Sequence, residues 1–161
     1  MSKSFISNTL FVIGGLAAIV LVVFGLSTPK SASVNGDNVA YAEATVYKSP
    51  TCGCCTEYIE YLKDNGVDVT IQNTEDMSAI KEQFNIPEEM ESCHTTVMGD
   101  YFFEGHIPFD VMSQMMNEHL QVDGLALPAM PMGSPGMPGD KTEPFHIHQL
   151  IHGEASTYMM A

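Results

Sequence analysis

The stretch KSPTCGCCTEY, Lys48 to Tyr58, places Cys52, Cys54 and Cys55 within four positions. Just upstream, ATVYK (44–48) has the composition of a short strand, and Ser49-Pro50-Thr51 reads as a loop. Downstream of Cys55, Ile59 and Leu62 recur at i+4 and i+7 while Glu57, Glu60 and Asp64 point elsewhere, and Asn65-Gly66 supplies a stop. The stretch therefore predicts a strand, a tight loop and a helix that carries the cysteines in its first turn.

The elements that follow extend this unit. VDVTI (67–71) alternates with period two as a second strand, and residues 74–84 place Met77, Ile80 and Phe84 at helical spacing, closed by Pro87. TTVM (95–98) and YFFE (101–104) flank Gly99-Asp100, a two-residue turn suited to an antiparallel hairpin. Pro108 opens a third helix with a stripe of Val111, Met112, Met115 and Met116, running to about Leu120. The order β-α-β-α-β-β-α predicts a thioredoxin-like α/β sandwich. Residues 123–144, DGLALPAMPMGSPGMPGDKTEP, read as a long Pro/Gly/Met-rich loop without regular structure. The end, FHIHQLIHGEASTYMM, reads as a hairpin turning at His152-Gly153.

Three chemistries are open to the cysteines. Cys52 and Cys55 form a C-x-x-C pair at a helix N-terminus, where unpaired N–H groups and the helix dipole favour thiolate. Thiolate is both the nucleophile of disulfide exchange and the ligand of soft metals, so Cys52 and Cys55 are redox candidates under either reading. Cys54 is surplus to a two-thiol exchange site, because it offers the disulfide a competing partner. Cys93, just before the third strand, would in such a fold stand near the mouth of the first helix. Structural disulfides are the third reading, but a bridge inside so short a segment constrains little chain entropy.

Four converging thiolates suit Zn²⁺, an iron–sulfur cluster or Cu(I). Zinc sites usually draw on two separated C-x-x-C pairs, which this chain lacks. Met130, Met132 and Met137 lie in the Pro/Gly-rich loop, where they serve no helix face, and as soft ligands they point to Cu(I). Among the histidines, His94 adjoins Cys93 but faces the opposite side if that segment is extended. His106 follows the hairpin in EGHIP. His146 and His148 share a strand face as an imidazole pair, whereas His119 and His152 read as surface residues.

Composition sets the setting. Leu10 to Leu26 is a run of 17 uncharged, mostly apolar residues preceded by Lys3, an export signal or membrane anchor, which assigns residues 1–26 to that role. Residues 27–42 are small and polar, a flexible tether, and residues 43–161 form the folded metal-binding domain outside the cytoplasm, in the periplasm or another extracytoplasmic space. An Ala-x-Ala site at Ala40–Ala42 lies far from the apolar run, which favours an uncleaved anchor. From Glu43 onward there are 19 Asp plus Glu against four Lys and no Arg. That charge excludes nucleic acid and anionic lipid surfaces as partners, leaving the membrane a role only through the N-terminal segment.

YKSPTCGCC, SCHTTV, YFFEGHIP and LALPAMPMGSPGM, in this order and spacing, resemble the CopG-type copper-resistance proteins, exported thioredoxin-like proteins long known as a domain of unknown function. The resemblance spans roughly Ala44 to Gly153. It implies copper as cargo, with one or more Cu(I) ions held by Cys52, Cys54, Cys55 and Cys93, and a role in interconverting Cu(I) and Cu(II). His94, His106, Met130 and Met132 are the candidate outer ligands, and a copper efflux or redox protein is the expected partner. Two departures stand out. Ala129 occupies a position where the family pattern has Gly, and FHIHQL replaces a more aliphatic strand, which opens the way to a second, histidine-based site. The competing expectations are a thiol-disulfide oxidoreductase, in which Cys52 attacks and Cys55 resolves, and a passive copper chaperone. ESCHTTV lacks the proline that commonly precedes the third strand of such oxidoreductases, which counts against the former.

Overall fold

A computed structural model describes residues 42–161. The expected anchor, 1–26, and the tether lie outside the described residues apart from Ala42. Among the described residues no helix is long and apolar enough to cross a membrane.

The chain runs β1 (Glu43–Lys48), α1 (Gly53–Asp64), β2 (Asp68–Asn73), α2 (Met77–Gln83), a short 3₁₀ turn (Glu88–Met90), β3 (His94–Met98), β4 (Tyr101–Gly105), α3 (Phe109–Glu118), β5 (Gly124–Leu127), β6 (His146–Ile151) and β7 (Glu154–Met160). The strands form one sheet in the order β2-β1-β3-β4-β5-β6-β7. Within it β1 pairs parallel with β2 and antiparallel with β3, and β4 pairs parallel with β5. The expected α/β sandwich is present, with its parallel opening and the β3–β4 hairpin across Gly99-Asp100.

One expectation fails. Residues 124–127 are not loop but a central strand between β4 and β6. The run GLAL is buried along its whole length, and backbone groups buried there must pair, so the apolar run outweighs the Pro and Gly around it. Gly124 makes the pairing possible: a Cβ there would stand 2.2 Å from the Phe102 carbonyl oxygen. The irregular segment shrinks to residues 128–145.

Strand alternation sorts the core into two layers. On one side Val46, Met98, Phe103, Leu125 and Ile147 pack with Tyr58, Ile59 and Leu62 of α1 and with Val111, Met112 and Met115 of α3. On the other, Phe102, Ala126 and Leu150 pack with Ile86, and Phe84 from the end of α2 closes over them. The start of β3 and the ends of β4 and β5 meet at one edge of this sandwich, beside the N-terminus of α1.

Candidate metal centre

Cys52 is the N-cap of α1: its sulfur accepts the Cys55 backbone N–H at 3.3 Å, so the first turn holds the three cysteines in a fixed fan. Cys52 and Cys55 are joined in a disulfide, and Cys54 and Cys93 are free thiols. Cys54 Sγ lies 3.6 Å from Cys52 Sγ and 3.7 Å from Cys93 Sγ, and Cys93 Sγ lies 3.3 Å from Cys55 Sγ. All four sulfurs fall within 4.8 Å of one another. The convergence expected from the sequence is therefore realised.

Two imidazoles complete the cluster. Cys93 Sγ is 3.5 Å from His94 Nδ1 and 3.6 Å from His106 Nε2, and the three donors form a second group within 4.8 Å. The expectation that His94 faces away from Cys93 rested on an extended backbone. The chain instead bends at Cys93 before entering β3, which brings both side chains to one side. His106 Nδ1–H donates to the Pro135 carbonyl at 2.5 Å, which fixes the tautomer and turns the Nε2 lone pair toward the sulfurs. The segment after β5 thus orients His106. It can do so because Gly136 (φ 76°) lies flat on α1, where a Cβ would meet the Tyr58 backbone nitrogen at 2.5 Å.

Tyr58 was not singled out by the sequence pattern, yet it is the floor of the site. Fully buried, it packs in tilted contact against His94 and His106 at centroid distances of 4.6 and 5.1 Å and donates its hydroxyl to the Ile107 carbonyl at 2.8 Å. A buried ion pair, also unforeseen, holds the other side. Lys81 Nζ reaches Glu104 Oε1 at 2.5 Å and Thr95 Oγ1 at 2.8 Å. The same carboxylate accepts the Ser92 backbone N–H at 2.5 Å and the Thr95 hydroxyl at 2.7 Å. Glu104 therefore pins the residue that precedes Cys93. The visible signal was a charge at an inward position in each element: Lys81 at i+4 from Met77 on the apolar stripe of α2, and Glu104 at i+2 from Phe102.

The electrostatics favour an incoming cation. Burial, followed by the neighbouring Cys54, pushes the Cys93 thiol up to about 12. Burial holds both His94 and His106 below the ordinary imidazole value, with His106 adding to the effect on His94. The site thus gathers sulfur and neutral nitrogen donors whose mutual repulsion, once deprotonated, only a positive ion relieves. His94 Nε2, on the other side of the ring from the nitrogen that faces Cys93, is buried without a hydrogen-bond partner.

The remaining sequence candidates differ in exposure. Met130 is half-buried and Met132 is 60% exposed, in the segment that follows β5. His119 is an exposed left-handed helix cap (φ 51°), and His152 is an exposed turn residue, as expected. His146 and His148 lie on β6, one exposed and one half-buried.

Fold and site together define a thioredoxin-like domain whose C-x-C-C turn gathers four sulfurs and two imidazoles at one place. The family model described as "Protein of unknown function, DUF411" matches residues 90–137, which hold Cys93, His94 and His106. Two solved structures, forms 1 and 2 of "Copper resistance protein copG", superpose with a TM-score of 0.69 at 36% identity, covering 75% of this chain and 98% of theirs. No curated protein sequence matches. The chain belongs to the CopG family of copper resistance proteins.

Proposed function

We propose that this chain is an extracytoplasmic copper-binding protein of copper resistance that takes up Cu(I) through Cys52, Cys54, Cys55 and Cys93. The convergence of four sulfurs and two imidazoles at one edge of the fold carries this reading. Thiolate and imidazole suit several metals, and the copper resistance named for the two similar structures selects copper among them. His94 and His106 act as nitrogen ligands, with Met130 and Met132 as outer thioether donors. The apolar run at Leu10–Leu26 delivers the domain across the membrane. The acidic surface docks a cationic face of an efflux or redox partner.

The Cys52–Cys55 disulfide supports a redox role. In the reduced chain the two thiolates give up one electron each to two Cu(II) ions. One S–S bond forms, two Cu(I) ions result, and any thiol proton leaves to solvent. Cys54, Cys93, His94 and His106 remain as ligands in the oxidised state. Anaerobic titration of the reduced chain tests the reading: Cu(I) is bound more tightly than micromolar, and Cys54→Ser with Cys93→Ser abolishes uptake. Binding weaker than micromolar, or uptake that survives both substitutions, overturns it.

One observation favours a second reading, a thiol-disulfide oxidoreductase: Cys93 Sγ stands 3.3 Å from the disulfide sulfur of Cys55, within reach for exchange. Against it, a thiol raised to about 12 holds little thiolate at neutral pH. Reduction of insulin at a rate matching a dedicated oxidoreductase would establish that reading instead.

A further inference from the structure

We propose that His146 and His148 form a second metal site, separate from the cysteine cage, that binds Cu(II). The two residues stand at i and i+2 on β6, so their side chains leave the same face of the strand about 6.6 Å apart along it. Farther along that face Leu150 is fully buried, whereas His148 is half-buried and His146 exposed. The face therefore passes from core to open cavity at the imidazole pair. Both histidines line a cavity of about 300 Å³, together with Met132 and Glu143.

The donor set differs from that of the cage. Two imidazole nitrogens form a borderline donor pair that suits the tetragonal geometry of Cu(II), with water left to complete the coordination. Among first-row divalent ions such a site binds Cu(II) most strongly. The choice of copper as the physiological ion rests on the proposed function; the existence of a divalent site does not.

The topology sets this cavity close to the cage without merging the two. His148 pairs with Ala126 of β5, and Leu127, which lines the cavity, pairs with Gly105, the residue before His106. One irregular segment serves both places: Pro135 orients His106, and Pro128, Pro131 and Met132 wall the histidine cavity. The site thus presents the oxidised form of the ion on β6, with β4 and β5 between it and β3, which Cys93 precedes.

The test uses the full chain with Cys54 and Cys93 alkylated and the Cys52–Cys55 disulfide intact, titrated with cupric sulfate and followed by electron paramagnetic resonance. One equivalent of Cu(II) is expected, with a tetragonal spectrum showing nitrogen coupling. His146→Gln and His148→Gln should each weaken binding at least about tenfold, and the double variant should remove the nitrogen-coupled signal. A spectrum and affinity unchanged in the double variant would overturn the assignment. The same variant, unblocked and reduced, should take up Cu(I) as the parent chain does; loss of Cu(I) uptake there would overturn the separateness of the two sites. If the parent chain fails to bind Cu(I) yet gives the histidine-dependent Cu(II) signal, the cage reading falls and this one stands.

Discussion

Replacing Lys81 by Met should expose how the cage is held in place. Glu104 is fully buried and accepts three hydrogen bonds, from Lys81 Nζ, the Ser92 N–H and the Thr95 hydroxyl. Burial raises its pKa, while Lys81 is the largest of the influences that lower it. Without Lys81 the carboxylate has no compensating charge, and breaking a buried pair on one side costs about 3–5 kcal/mol. Urea unfolding of the metal-free chain should show that loss as a lower midpoint at unchanged slope. Such a loss approaches the whole stability of a small domain, so the informative variant is Lys81→Met with Glu104→Leu. There both charges are gone, and stability should return to within about 1–2 kcal/mol of the parent, because apolar replacement of a buried pair is often near neutral. The double variant should still lose Cu(I) affinity by about tenfold or more, since the Ser92 N–H has lost its acceptor and Cys93 its anchor. Parental Cu(I) affinity in the refolded double variant would refute the claim that Glu104 positions Cys93.

Three further outcomes are expected. Ala129 has φ 65°, in the left-handed region, so Ala129→Gly should raise the melting temperature, with a gain of about 0.5–1 kcal/mol after the added unfolded-state entropy is subtracted. His94 and His106 are held below their ordinary value, so the unfolded chain binds protons that the folded chain refuses. Stability of the metal-free chain should therefore be full above about pH 6.5 and fall below it by up to about 1.4 kcal/mol per pH unit per imidazole, read by denaturation at stepped pH. Finally, with Cys93 raised to about 12, Cu(I) must displace its proton throughout the neutral range. Affinity measured against a pH-corrected Cu(I) chelator should rise by at least about tenfold per pH unit between pH 6 and 8, and a flat profile would remove Cys93 from the ligand set.

What the sequence determined by itself was whatever depends on spacing along the chain. The apolar positions after Cys55 specify a helix, the alternation in VDVTI a strand, and Gly99-Asp100 a hairpin, because each signal is local and repeats with the period of its element. Three cysteines in a helix's first turn are likewise a local fact, and their meeting with Cys93 was legible once a parallel β-α-β opening was recognised. The tertiary structure alone decided the rest. GLAL became a central strand because partners on both sides paired its backbone, a force no window of Pro- and Gly-rich sequence records. His94 joined the cage through one bend at Cys93, and Tyr58 became its floor by packing across from α1. Lys81 and Glu104, 23 residues apart, look like two surface charges in a chain with 20 acidic side chains. Only the fold, by taking both out of water, sets the two charges against each other and turns the pair into the support for the segment that carries Cys93.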